Sequence, residues 1–240
     1  MIKGIFLGTG SIPTKERSCQ GILLEFNAAS VLVDCGEGIQ YQLLKSNTDL
    51  SKINTIFITH EHIDHVYGIG GVLTLLLNKY PEKVITVYAP LEVINIIKGI
   101  VDLFTLKNRS HIEYVEISDG QTIKRDSFIC STFKTYHTES SLGYCFMVKD
   151  KRIAVLGDVD LPNAQAQKQI VNSISEVDLA VIDGVHISAL EAAGIAVDAK
   201  IKSLYLMPIL LNKTEEDVLN QVEPVFNGAC IPKDLEEFNL

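Results

Sequence analysis

Residues 54–59, NTIFIT, form an apolar run of the kind that builds a buried strand, and the run ends directly on His60. The string that follows, HEHIDH, places His60, His62, Asp64 and His65 within six positions. In an extended segment residues two apart point the same way, so His60 and His62 can converge on one ion. Asp64 and His65 come where the chain has to turn and can present a second set of donors. Imidazole nitrogen and carboxylate oxygen suit zinc and related divalent ions. The competing explanation is a polar loop that gathers histidines by chance. It accounts poorly for four ligand-type residues at one strand end. The string is not HExxH, because Asp64 stands four after His60, and GIGG at 68–71 is not a GxGxxG fingerprint, because Leu73 takes the third glycine position.

The same logic recurs downstream. FICSTFKTYH ends on His137 and RIAVLGD ends on Asp158, each an apolar run closing on a possible ligand. Taken singly, such residues are more often structural or merely exposed; beside the histidine cluster they read as the missing ligands, since zinc takes four. Other β-type runs are IKGIFLG, QGILLEF, SVLVDCG, VITVYA, IEYVEI, GYCFMVK, LAVIDG and SLYLMPI, and ILLEFNAASVLVDC reads as a hairpin around NAAS. GIQYQLLKS, LEVINIIKGIVDLF, SALEAAGIAVDA and TEEDVLNQVEPVF carry helical spacing. No linker, low-complexity segment or internal repeat interrupts the 240 residues. The expectation is an α/β (α+β) fold in one domain over residues 1–240, with two mixed sheets covered by helices.

Composition narrows the function classes. The net charge of −9 disfavours general affinity for nucleic acid. The five cysteines (Cys19, Cys35, Cys130, Cys145 and Cys230) include no CxxC pair, which argues against a disulfide framework or a cysteine zinc site. No apolar run approaches the roughly 20 residues needed to span a bilayer, so no membrane partner is expected. The start lacks the segments of a signal peptide, and a cytoplasmic location is expected. The acidic KDLEEF near the end reads as a solvated tail. Cys35 reads as a core residue, and Gly36 and Gly38 as turn glycines.

HEHIDH, then YH, then GD resembles the HxHxDH signature of the metallo-β-lactamase fold superfamily. FLGTGSIPTKER followed by VDCGEGIQYQLL is similar to the N-terminal signature of ribonuclease Z, also called tRNase Z, and HTESSLGY, the segment from His186 and the closing IPKDL extend the likeness over nearly the whole chain. The resemblance implies a four-layer αββα sandwich. His60, His62 and His137 would hold one ion, Asp64 and His65 a second, with Asp158 bridging. The cofactor would be zinc, as one or two ions, with manganese as an alternative. A metal-activated water would attack a phosphodiester, and Asp64 would orient that water. His186 would protonate the leaving group with Asp183 as its orienting carboxylate; the competing explanation is a helix-start histidine beside a solvated Asp183. Lys15 and Arg17 would contact phosphate, or lie in an exposed loop. The resemblance also implies a homodimer.

Three departures qualify the expectation. The family's last motif carries a ligand histidine after a late strand, where this chain has Met207 and Pro208 in MPILLN. A long insertion that clamps the tRNA elbow is absent, GYCFMVK passing through KDK to RIAVLGD, so RNA is a candidate partner but tRNA binding is not expected. The family's HEAT-type segment is reduced to IDGVH. The reading is therefore a metal-dependent hydrolase, phosphodiesterase in type. The alternatives are a degenerate binding or scaffold paralogue and a hydrolase of small esters, lactones or sulfates.

Overall fold

The computed structural model describes residues 1–26, 29–103, 109–209 and 213–240. The centre of the NAAS turn (Asn27, Ala28), Phe104 at the end of one helical pattern and the LLN of MPILLN lie outside the described residues. The chain divides into two compact units, Met1–Ile117 with Lys233–Asn239 and Ser118–Pro232 with Leu240. Each has its own mixed sheet flanked by helices.

In the first unit β1 (Ile2–Gly8), β2 (Gly21–Phe26), β3 (Ala29–Val33), β4 (Ile53–Phe57), β5 (Ile85–Ala89) and β6 (Ile112–Glu116) lie side by side in chain order. The β1–β2–β3 pairs are antiparallel and the β3–β4–β5–β6 pairs parallel. Parallel neighbours need crossovers, which α1 (Ile39–Lys45), α2 (Ile63–Val66), α3 (Ile69–Lys79) and α4 (Leu91–Leu103) help supply. Ile39, Leu43, Leu73, Leu76, Val93 and Ile97 of these helices pack in one cluster with Ile5, Leu23, Leu32 and Ile56 of the sheet. Burying each such side chain contributes about 1.5–3 kcal/mol. The sequence did not predict α3, because Gly70 and Gly71 interrupt its apolar pattern; burial of Ile69, Val72, Leu73, Leu76 and Leu77 outweighs the helix cost of two glycines.

The acidic tail expectation is corrected. Glu236–Asn239 form a strand paired antiparallel with β1. Phe238 packs on Phe6 with ring centroids 5.1 Å apart, and Glu237 meets Lys3 at 2.7 Å. One apolar residue among acidic ones gives no visible period, yet that residue anchors the strand.

In the second unit β7 (Thr122–Lys124), β8 (Ile129–Lys134), β9 (Leu142–Val148), β10 (Lys151–Val155), β11 (Leu179–Gly184) and β12 (Ser203–Ile209) form a sheet of order β12–β11–β10–β9–β8–β7. The β10–β11–β12 pairs are parallel and the rest antiparallel. The β9–β10 hairpin turns through Lys149 and Asp150, with Lys149 at φ 56°, so no inserted arm stands there. The helices are α5 (Ala164–Ser173), α6 (Ala189–Asp198) and α7 (Glu215–Val222). Ser188 and Glu191 form a reciprocal capping box at the start of α6. Polar α5 was not predicted; Asn163 caps it and Ala166 and Ile170 bury its inner face. The helix expected over TEEDVLNQVEPVF is shorter, ending at Val222, because Pro224 cannot continue it. No helix among the described residues is long and apolar enough to cross a membrane.

The turn after β3 is fastened to the turn after β4 by backbone bonds. Cys35 N–H donates to His65 O at 2.7 Å, Gln20 N–H to Asp64 O at 3.1 Å and Gly68 N–H to Cys35 O at 2.8 Å. Gly36 permits this approach, since a Cβ there would lie 2.1 Å from the Asp64 carbonyl oxygen. Gly36→Ala should therefore force backbone apart and destabilise the protein by about 1–3 kcal/mol, read as a lowered denaturation midpoint. An unchanged midpoint would contradict this packing.

Candidate metal centre

Candidate ligands sit just beyond the carboxyl ends of strands, the usual place for a site on parallel strands. In the first unit His60 follows β4 and is fully buried, His62 is exposed before α2, and Asp64 and His65 lie in α2. The His60 ring centroid lies 4.7 Å from that of His62 and 4.1 Å from that of His65. The three imidazoles of the motif are thus gathered.

What orients His60 and His65 is Asp34, which sequence reasoning had not assigned. β3 stops at Val33, and Asp34 adopts φ 61°, a left-handed conformation that aspartate tolerates better than most residues. Its carboxylate accepts from the Thr59 backbone N–H at 2.8 Å and lies 3.0 and 3.1 Å from the Thr59 hydroxyl. Asp34 Oδ2 also lies 2.8 Å from His65 Nδ1. A carboxylate only accepts, so the single hydroxyl proton of Thr59 goes to Asp34 and His65 Nδ1 carries its own proton. Thr59 Oγ1 is then the acceptor for His60 Nδ1 at 3.0 Å. Both rings therefore hold their proton on Nδ1 and their lone pair on Nε2. This is the arrangement in which a carboxylate fixes tautomer and raises basicity behind a metal-binding imidazole.

The donor chemistry fits a divalent ion at His60 and His62. At His65 a competitor is present, because the Gln20 carboxamide donates from Nε2 to His65 Nε2 at 2.7 Å. An ion on that nitrogen has to displace Gln20. The nearby thiols are not nucleophiles: burial pushes Cys35 well above the ordinary thiol range, and burial and then Asp64 push Cys19 up to about 11. Lys15 is exposed on the loop between β1 and β2, and Arg17 donates from Nη1 to the Thr9 hydroxyl at 2.5 Å.

In the second unit His137 follows β8 and buried Asp158 follows β10, with His137 Nε2 3.6 Å from Asp158 Oδ2. The HTESS turn holds His137 by donation of its backbone N–H to Ser141 Oγ at 3.0 Å, and its Nδ1 faces Asp160 at 3.2 Å. Asp183 ends β11 fully buried, so a solvated aspartate is not what forms. Its carboxylate accepts from the N–H of Val185 at 2.7 Å and of Val159 at 3.1 Å, and lies 2.9 Å from His186 Nδ1. The hydrogen bond to Asp183, then the charges of Asp158 and Asp160, raise the His186 pKa to about 9. One donor atom each of Asp158, Asp183 and His186 lie within 4.8 Å of one another. Met207 is buried in β12, which continues through Pro208 to Ile209, and neither position supplies a histidine.

The family model described as "Anti-Pycsar protein Apyc1" matches residues 2–208. The chain belongs to the Apyc1 family. It is similar to ribonuclease Z of Archaeoglobus fulgidus, 34% identical over 155 residues, which is 63% of this chain and half of that protein's length. Ribonuclease Z of Methanosarcina mazei is 23% identical over 304 aligned positions, covering 100% of this chain and 98% of the relative. The metallo-β-lactamase fold protein YhfI of Bacillus subtilis superposes with a TM-score of 0.82 at 19% identity, covering 99% of this chain and 98% of YhfI. This Apyc1-family chain is thus a ribonuclease Z-like protein of the metallo-β-lactamase fold, as its motifs implied.

Two outcomes test the site. Asp34→Asn should weaken binding of zinc or manganese by about 10–100-fold in calorimetric titration, the usual cost of losing a carboxylate behind a ligand histidine. Unchanged affinity would count against the tautomer relay. His186 should titrate near pH 9 in the metal-free protein by NMR and fall back toward 6.5 in Asp183→Asn. Because the folded pKa is the higher one, its stabilising contribution is fully present below pH 6.5 and is lost as pH rises through about 9. A midpoint near 6.5 in the unaltered protein would refute the pairing.

Proposed function

We propose that this Apyc1-family chain hydrolyses phosphodiesters in a metal-dependent reaction, with His60, His62, Asp64, His65, His137 and Asp158 as its metal ligands and residues 1–240 acting as one functional domain. The observation that carries the reading is the Asp34–Thr59 pair, which holds two buried imidazoles in the ligating tautomer at the cost of burying polar groups. A core has no need of that arrangement.

A bound divalent ion supplies charge that lowers the pKa of water and offsets the negative charge of a phosphorane. The chain's own groups do the rest. Asp64 orients the attacking water. His186, kept protonated at neutral pH by Asp183, donates its proton to the leaving oxygen. Lys15 and Arg17 meet the phosphate, Arg17 with a planar donor set suited to it. Zinc is the ion that best matches imidazole and carboxylate donors, with manganese as the alternative.

The ribonuclease Z relatives support RNA as the class of substrate. The short β9–β10 turn and the net charge of −9 favour a small phosphodiester or short RNA over a full precursor tRNA. We take a homodimer in the cytoplasm as the working state. Met207 and Pro208 motivate a second reading, a binding paralogue that has lost catalysis. With zinc or manganese added, the purified chain should hydrolyse bis(p-nitrophenyl) phosphate, and His62→Ala should lower kcat/KM by about 100-fold or more. Absence of turnover with any divalent metal would overturn the proposal and leave the second reading.

A further inference from the structure

The segment just before the C-terminal strand returns to the loop that follows β1. Asp234 Oδ1 accepts from the Thr9 backbone N–H at 3.0 Å and from the Thr9 hydroxyl at 2.8 Å. Its Oδ2 accepts from the Ser18 backbone N–H at 2.7 Å and from Gln42 Nε2 at 2.7 Å. One carboxylate therefore ties together both ends of the loop spanning residues 9–18 and the helix α1 behind it. Gln42 Nε2 reinforces the tie by donating to Ser18 Oγ at 2.8 Å, and Gly10 N–H donates to Ser18 O at 2.9 Å.

The loop so closed carries Lys15 and Arg17. Its tip is set by Thr14, whose hydroxyl accepts from the N–H of Arg17 at 3.0 Å and of Glu16 at 3.2 Å. Arg17 is linked back to the carboxylate through one atom. Thr9 Oγ1 spends its single proton on Asp234, so it is the acceptor when Arg17 Nη1 approaches to 2.5 Å. The chain Asp234, Thr9, Arg17 thus helps to fix the guanidinium in place, which reduces the side-chain freedom lost when it binds.

We propose that Asp234 is a positioning residue for substrate: it presents Arg17, and with it Lys15, to the phosphodiester while taking no part in the chemistry. The inference rests on the reading of Lys15 and Arg17 as phosphate contacts. Preorganisation of a binding group lowers KM and leaves the chemical step alone.

The test compares the full chain with Asp234→Asn, which keeps the volume but turns an amide against donor groups, and with Thr9→Val, which removes the hydroxyl joining Arg17 to Asp234 while the carboxylate keeps its bonds to the Thr9 and Ser18 backbone and to Gln42. Arg17→Ala is the control for the phosphate contact itself. Both test variants should raise KM for bis(p-nitrophenyl) phosphate by about tenfold, with kcat within about threefold of the unaltered protein. Trypsin should cut after Lys15 and Arg17 about tenfold faster in Asp234→Asn, because the loop opens more often. Unchanged KM and unchanged cleavage in both variants would overturn the proposal. So would a fall in kcat at constant KM, which would place Asp234 in the chemical step. If the unaltered protein shows no turnover, the phosphodiesterase reading fails, whereas the trypsin rates still decide whether Asp234 holds the loop. If Asp234→Asn does not fold, the KM of Thr9→Val decides between the two outcomes.

Discussion

A single buried carboxylate organises the first half of the candidate site. Asp34 accepts from the Thr59 backbone, binds its hydroxyl and faces His65, and through Thr59 it reaches His60. Each of these polar groups would be costly to bury alone, and satisfying them together makes the site rigid. The arrangement also transmits a requirement backward into the chain. Asp34 has to leave β3 with a left-handed backbone, and Gly36 has to come so close to Asp64 that no side chain fits. The segment VDCGEG and the segment HEHIDH are thus one structural object, though His60 follows Gly36 by 24 positions.

The second unit repeats the device in different atoms. Asp183 is fully buried, accepts from the backbone N–H groups of Val159, Val185 and His186, and faces His186 Nδ1 at 2.9 Å. The consequence differs. Behind His60 and His65 the Asp34–Thr59 pair engages Nδ1 of each ring and leaves Nε2 as the ligating nitrogen, which suits metal binding. At His186, which reaches the surface, Asp183 together with the fields of Asp158 and Asp160 favours the protonated ring, which suits a proton donor.

Much of the fold was legible because the strands announce themselves. Most parallel strands are buried on both faces and appear as continuous apolar runs, so β4, β5, β10 and β11 could be read directly, as could the His60, His137 and Asp158 positions at strand ends. What escaped detection lacked a local signal. Helix α3 is interrupted by two glycines, α5 is polar, and the C-terminal strand has one apolar residue among acidic ones. Each is held by partners distant in sequence, such as Phe6 for Phe238.

The sequence by itself determined the chemistry on offer: imidazoles and carboxylates placed at the ends of buried strands, in an order that resembles metal-dependent hydrolases, with Met207 and Pro208 where a further histidine was expected. Only the tertiary structure decided which nitrogen of each ring is presented, that Gln20 competes at His65, and that Asp234 closes the loop bearing Arg17. The physical reason is that a residue type and a strand end are local properties. A tautomer, a competing donor and a shared carboxylate depend on hydrogen bonds between segments far apart in the chain.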